Sequence, residues 1–144
     1  MATVRLDNLR KVYDNGYVGV AGASFEVAHG ELLVLVGPSG CGKSTLLRAV
    51  NRIYELYPGQ RAEGEVVMDG ENILKAKDMN LLRARVGMVF QKPTPFPMTI
   101  YDNVAFGIKL YERMPRSELD GRIENALQRA ALWGEVKDLS LIHI

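Results

Sequence analysis

The chain has 144 residues, of which 47% are hydrophobic, and its 18 lysines and arginines nearly balance its 17 aspartates and glutamates, for a net charge of +1. This composition excludes a disordered tail, and the charge provides no broad basic field, so no nucleic-acid partner is expected. No apolar run reaches the roughly 18 residues of a membrane span, and the N-terminus lacks the apolar stretch of a signal peptide. With a single cysteine, the chain is expected to be one cytoplasmic domain without an internal disulfide.

Two half-buried strands are predicted near the N-terminus, at residues 4–9 and 23–27, where apolar and polar residues alternate. The glycines of turns lie between them, which suits an antiparallel sheet. Residues 32–36, LLVLV, are apolar at every position. Such a run favours a strand that is covered on both faces, and hence a parallel central strand.

A phosphate-binding loop is predicted directly after this run, because residues 37–44 read GPSGCGKS and match its complete pattern. The glycines allow the backbone to turn sharply, so that successive N–H groups point inward as donors. A helix should begin near Lys43, which would bring the positive end of its dipole to the anion. Lys43 would reach the β and γ phosphates, and the Ser44 hydroxyl would be a ligand of Mg²⁺. The residues expected to bind the nucleotide here are Gly37, Ser39, Gly40, Cys41, Gly42, Lys43, Ser44 and Thr45.

The remaining predicted elements continue an α/β order and end in a helical part. In chain order they are a helix at residues 43–54, a hairpin of residues 65–68 and 72–74 that turns at Asp69 and Gly70, a short helix at 78–85 and a buried strand at 86–90. The three prolines of residues 91–98, QKPTPFPM, predict an extended loop. Thr99 should cap a helix at residues 100–111, and Ser117 signals the start of a second helix with apolar residues at helical spacing.

Several stretches of the chain resemble the ATP-binding subunits of ABC transporters. The sequence GPSGCGKSTLLR at residues 37–48 is typical of bacterial importer ATPases, and VGMVFQKPTPFPMTIYDNVAFGIKL at residues 86–110 closely resembles the Pst-type phosphate importer. Residues 51–73 and 131–138 resemble the same subfamily, whereas residues 22–44 look as much like sugar-importer ATPases. The resemblance implies an α/β fold with a P-loop NTPase core, incomplete, an N-terminal antiparallel β subdomain and part of a helical subdomain.

Roles for residues outside the phosphate loop follow from this resemblance. Gln91 matches the family's Q-loop glutamine, whose amide would help to hold Mg²⁺ and the attacking water. Tyr13 matches the aromatic residue that stacks on adenine, with Tyr17 as the alternative. The residues expected to contact the transmembrane permease subunits are Pro93, Phe96 and Met98.

The resemblance also implies the domain organisation. Residues 1–138 would form a partial ATP-binding domain, with the core and β subdomain in residues 2–91 and the start of the helical subdomain in residues 92–138. Residues 139–144, LSLIHI, depart from the family pattern and are interpreted as a non-native tail. The family's signature motif, Asp-Glu strand and switch histidine have no counterpart, so this chain is expected to bind ATP poorly, to turn it over hardly at all and to expose an apolar sheet edge.

The function implied for the intact protein is ATP hydrolysis that powers phosphate import. It would act at the cytoplasmic face of the bacterial plasma membrane as a peripheral subunit, bind ATP and Mg²⁺, and pair with a second copy of itself as a homodimer. An ATPase of a sugar or other small-solute importer is the nearest alternative. A small P-loop phosphotransferase and a non-catalytic ATP-binding module are alternatives from other classes, although a phosphotransferase leaves the Gln91 segment unexplained.

Overall fold

The structure is a computed structural model that describes residues 2–139, so all but the first residue of the tail predicted at 139–144 lies outside the described residues. The chain divides between Val89 and Phe90 into two compact units. In the described range, no helix combines the length and the apolar character that a membrane crossing requires.

An antiparallel sheet organises the first unit. Its strands in the described residues are β1 (Val4–Val12), β2 (Val18–Val27), β3 (Arg61–Met68) and β4 (Glu71–Asn72), in the order β2-β1-β3-β4. The antiparallel pairing predicted for the front strands is confirmed, although both strands run further than predicted. A register shift follows Leu6, and Asn8 has a φ of 48°. This bulge interrupts the alternation of polar and apolar residues, which is why the sequence pattern stops before β1 does.

The predicted hairpin forms between β3 and β4, but its second arm, predicted at residues 72–74, is only the two residues of β4, and Ile73–Lys75 form a 3₁₀ turn. Asp69 and Gly70, at its turn, have φ values of 51° and 84°. Two consecutive positive φ values are the requirement of a type I′ turn, whose twist matches that of the flanking strands. An Asp-Gly pair therefore fixes the register of the hairpin.

The core of the first unit lies between this sheet and the helices packed on it. Helix α1 (Lys43–Val50) contributes the fully buried Ala49 and ends earlier than predicted, because Arg52 has a left-handed φ of 54° and a 3₁₀ turn follows it. Helix α2 (Met79–Arg85) begins after Asp78, whose carboxylate accepts from two backbone N–H groups. The buried residues of this core are Leu6, Leu9, Ala49, Tyr54, Val66, Met68, Ile73 and Leu82.

Residues 32–36 and 86–90 are not strands in the structure, so the prediction of two buried strands was wrong. Leu32 and Val34 are 87% and 67% exposed, and Val89 is fully exposed. An apolar run is buried as a strand only where neighbouring strands hydrogen-bond to it, and no strand of the described sheet pairs with either segment. The apolar composition of a segment indicates that its side chains favour burial. It does not indicate whether a neighbouring strand is present to pair with the segment.

The second unit is helical, as predicted. Its helices in the described range are α3 (Ile100–Tyr111), α4 (Arg116–Arg129) and α5 (Trp133–Val136), and its core is formed by Ala105, Leu119, Ile123 and Leu127. The cap at Thr99 is confirmed, because its hydroxyl accepts from the Asp102 N–H at 3.0 Å. Ser117 does not cap α4: Pro115 is the capping residue, and proline suits a helix start because the N–H it lacks would have no helical acceptor.

Candidate functional site

The phosphate loop follows residues 32–36 and has the backbone conformation that its glycines predict. Gly40 and Gly42 have φ values of 81° and 95°, in the left-handed region. A Cβ at Gly42 would collide with the carbonyl oxygen of Gly19 on β2. The loop therefore lies against β2 so closely that only glycine fits at position 42.

Helix α1 begins at Lys43, as predicted. Gly42 is its N-cap and supplies no side-chain cap, and the first helical hydrogen bond runs from the Leu46 N–H to the Gly42 carbonyl at 2.8 Å. The N–H groups of the first turn have no acceptor within the helix, and the dipole places partial positive charge at them. An uncapped helix start behind a glycine loop is a fitting place for an anionic group.

The Lys43 ammonium lies over the loop itself. Its Nζ donates to the carbonyl oxygens of Gly37 and Pro38, both at 2.7 Å, and lies 3.4 Å from the sulfur of Cys41. These contacts place a positive charge directly above the residues that precede the helix. Because carbonyl oxygens are weaker acceptors of an ammonium than phosphate oxygens, Lys43 is poised to exchange them for an anion.

Tyr13 connects the end of β1 to the first turn of α1. Its hydroxyl lies 2.8 Å from the Thr45 hydroxyl. Its ring packs on the backbone of Gly19, where an added Cβ would lie 2.6 Å from Tyr13 Cε2 and 3.1 Å from Thr45 Cγ2. The ring is thus fixed beside the phosphate loop.

A cleft of about 730 Å³ opens between β2, residues 34–36 and the phosphate loop. Tyr17 lines this cleft, is 62% exposed, and has its ring centroid 6.0 Å from that of Tyr13. Gly40, Cys41 and Lys43 also line it. Within the described chain no carboxylate lines the cleft, so its charge is set by the lysine and the helix start.

The other predicted site residues differ in how the structure places them. Ser39 and Ser44 are exposed in the loop and the first helical turn, and the exposed Ser44 hydroxyl makes no hydrogen bond within the described residues. A hydroxyl oxygen is a hard donor of the kind that Mg²⁺ accepts. Gln91 is exposed and belongs to the second unit, and its role at the site stays a prediction. Among the described residues, no cluster of three or more His, Cys, Asp or Glu forms a metal site.

Two residues near the loop were missed by the sequence reasoning. Gly19 gives the loop its close approach to β2, and Lys11 lies buried beneath Tyr13. A signal for Lys11 was available: it stands two positions after Leu9 on β1, and residues at that spacing share one face of a strand. Because the bulge in β1 interrupts the alternation of the strand, the sequence pattern did not show that this face is buried.

The comparisons with known proteins agree with this geometry. The ABC transporter family matches residues 20–141. Among solved structures, the chain is similar to a bacterial Atm1-family ABC exporter with ATP bound, with 31% identity and a TM-score of 0.74 over 99% of this chain and 23% of that chain. It is also similar to cbiO1 from Clostridium perfringens, part of the ABC transporter complex cbiONQ, with 30% identity and a TM-score of 0.73 over 90% of this chain and 50% of that chain.

The chain therefore spans half the length of one solved relative and less than a quarter of the other. The predicted family is confirmed, and so is the fold class: a P-loop ABC ATPase fold with an antiparallel β subdomain and helices. This chain belongs to the ABC transporter family, as an ATP-binding domain.

Proposed function

We propose that this chain binds Mg·ATP and that the intact protein uses ATP binding and hydrolysis to power import of inorganic phosphate. The observation that carries the proposal is the phosphate loop, in which left-handed glycines lead into an uncapped helix beginning at Lys43. The solute is supported by the likeness of residues 86–110 to Pst-type ATPases. The likeness of residues 22–44 to sugar-importer ATPases makes a sugar importer the second candidate.

Within this proposal the loop supplies the triphosphate contacts. Backbone N–H groups of the loop and the first turn of α1 would donate to phosphate oxygens, and Lys43 would exchange its carbonyl acceptors for the β and γ phosphates. Mg²⁺, when bound, would neutralise charge on those phosphates, and Ser44 and Gln91 would hold it. The residues proposed to bind through backbone or small side chains are Gly37, Ser39, Gly40, Cys41, Gly42 and Thr45.

The adenine base is proposed to stack on Tyr13. The support is that the Tyr13 ring is already fixed by Thr45 and Gly19, so little side-chain entropy is lost when a base meets it. Tyr17 is the alternative platform, because it is exposed in the cleft. Alanine at each position distinguishes them: the platform residue is the one whose loss weakens the binding of ATP by more than it weakens the binding of inorganic tripolyphosphate.

Hydrolysis would require groups beyond those that line the cleft. Positioning water and supporting Mg²⁺ takes carboxylates, and the described cleft has none. We therefore propose ATP binding, rather than turnover, as the property to measure on this chain.

In the intact transporter two copies would close around ATP at the cytoplasmic face of the plasma membrane. Residues 2–91 would form the nucleotide-binding core and β subdomain, and the segment with Pro93, Phe96 and Met98, in the helical subdomain from residue 92, would contact the permease subunits.

Calorimetry with Mg·ATP on matched variants tests the binding. Lys43→Ala should weaken the binding of Mg·ATP by about tenfold to a hundredfold, which is the scale of a charge-assisted hydrogen bond. Arg48→Ala is the control, because it removes the same unit of charge from an exposed position near the other end of α1. Equal affinities of the wild type and Lys43→Ala would refute the site assignment.

The solute is tested in cells that carry the intact transporter. Lys43→Ala should abolish ATP-driven phosphate uptake while sugar uptake by other systems continues. Loss of sugar uptake with phosphate uptake unchanged would instead support the second candidate.

A further inference from the structure

Lys11 is a buried lysine of the first unit. Lys11 is only 2% exposed, and its side chain is the largest of those that are fully buried among the described residues. Burying an ammonium group is costly unless it is paired, and a chain selected for stability alone would place an apolar residue there. No carboxylate of the described chain forms an ion pair with Lys11, so its surroundings must explain it in another way.

The direct contacts of the Lys11 ammonium are neutral acceptors and aromatic rings, while the charges of Arg61 and Asp14 act on it from further away. Nζ donates to the Val12 carbonyl at 2.8 Å and to the Gln60 side-chain oxygen at 3.0 Å. It also lies over two tyrosine rings, 4.7 Å from the centroid of Tyr13 and 4.8 Å from that of Tyr54. Cation–π contacts at these distances hold a ring in place, and they are stronger where water is excluded.

The same tyrosine makes the link to the phosphate loop. Tyr13 has Lys11 over its ring and the Thr45 hydroxyl 2.8 Å from its own. Thr45 lies in the first turn of α1, directly after Ser44. A contiguous path therefore runs from the buried ammonium through one aromatic ring to the start of α1, where the triphosphate is proposed to bind.

We propose that Lys11 is a positioning residue of the nucleotide site: its ammonium fixes the Tyr13 ring, so that the Tyr13 hydroxyl holds Thr45 and the first turn of α1 in place for the nucleotide. This inference rests on the proposed function. Lys11 itself does not touch the nucleotide. It acts through Tyr13. A charged residue is retained at this buried position because the orientation of the Tyr13 ring depends on the ammonium group.

Two measurements on the full chain test the proposal. In Lys11→Met, an unbranched apolar side chain replaces the ammonium, and Lys11→Gln is the second variant because it keeps a hydrogen-bond donor. The first measurement, without nucleotide, is the amide resonance of Thr45, which should shift in both variants. The second is the affinity for Mg·ATP by calorimetry, which should fall about tenfold, the scale of a buried cation–π contact. Lys75→Met removes an exposed lysine of the same unit and should change neither.

A double variant separates positioning from a general loss of stability. If Lys11 acts through Tyr13, then Lys11→Met combined with Tyr13→Ala, which removes both the ring and the hydroxyl, should bind Mg·ATP no more weakly than Tyr13→Ala alone. Additive losses, or an unchanged Thr45 resonance in a folded Lys11 variant, would overturn the proposal. If the wild type binds Mg·ATP and the Lys11 variants bind it with the same affinity, the proposal is also overturned. A wild type that ignores Mg·ATP contradicts the proposed function instead, so the two failures are distinguishable.

Discussion

Asn103 and Phe96 are joined by a reciprocal pair of hydrogen bonds. The Phe96 N–H donates to Asn103 Oδ1 at 2.9 Å, and Asn103 Nδ2 donates to the Phe96 carbonyl at 3.1 Å. The Phe96 ring also lies 4.7 Å from that of Phe106. A side chain in the first half of α3 thereby satisfies the backbone of the proline-rich segment, whose prolines cannot donate.

Replacing Asn103 with alanine should release this segment. The change removes both hydrogen bonds to Phe96 and should destabilise the local structure by about 1–2 kcal/mol. Hydrogen exchange at the Phe96 amide measures the effect directly, with faster exchange expected. Gln128→Ala on α4 is the control, because its exposed side-chain amide hydrogen-bonds to Glu124 on the same helix, and the change should leave the Phe96 amide unchanged. Protection that survives in Asn103→Ala would show that the prolines alone fix the segment.

Gly42 and Gly40 offer a matched pair for the phosphate loop. Both have positive φ, but a Cβ at Gly42 would collide with the Gly19 carbonyl, whereas one at Gly40 meets nothing within 4 Å. Gly40→Ala should therefore cost about 1 kcal/mol of backbone strain, and Gly42→Ala clearly more. The Leu46 amide, which donates to the Gly42 carbonyl, reports the difference through hydrogen exchange. Equal effects of the two substitutions would mean that the loop moves away from β2 at little cost.

Local signals predicted the turns and caps well, because their causes lie within a few residues. The Asp69-Gly70 turn, the cap at Thr99 and the helix start at Lys43 all follow from the chemistry of the residues involved. The glycine loop followed the same logic. These features need no partner from elsewhere in the chain.

Features that depend on long-range packing could not be predicted in the same way. Residues 32–36 have the composition of a buried strand, yet burial depends on neighbouring strands that composition does not reveal. The close approach of Gly42 to Gly19 and the cation between Tyr13 and Tyr54 join segments far apart in sequence. Lys11 in particular reads as a solvated charge until the bulge in β1 places it in the core.

The exposed apolar segment at residues 32–36 should make the chain self-associate. Leu32, Val34 and Val36 are 87%, 67% and 86% exposed, and an unpaired apolar segment of this kind is a template for pairing between chains. The average molar mass from light scattering should rise with protein concentration, and Val34→Asp should lower that mass by placing a charge within the segment. Val34→Ile keeps the apolar surface and should behave like the wild type. Identical scattering by Val34→Asp and Val34→Ile would locate the association elsewhere.

The pH dependence of stability provides a test of the buried tyrosine. Burial raises the pKa of Tyr54 above its ordinary value of 10.0, with the Glu55 charge adding to the effect and Arg52 opposing it. The folded state thus holds the Tyr54 proton more tightly than the unfolded chain does. Its contribution to stability is complete below about pH 10 and is lost as the pH rises through the raised pKa.

Urea unfolding from pH 8 to 11 should therefore separate wild type from Tyr54→Phe. Burial also lowers the pKa of Lys11, with Arg61 adding to the effect and Asp14 opposing it. That group makes stability rise with pH between its lowered pKa and the ordinary value of 10.5, where the unfolded chain still holds a proton that the folded chain has released. Because Lys11 is present in both proteins, the difference between their curves isolates Tyr54: wild type should lose more stability above about pH 10 than Tyr54→Phe. Tyr57→Phe removes an exposed hydroxyl nearby and should follow the wild type. A Tyr54→Phe curve parallel to the wild type would contradict the burial argument, since the hydroxyl would then titrate alike in the folded and unfolded chains.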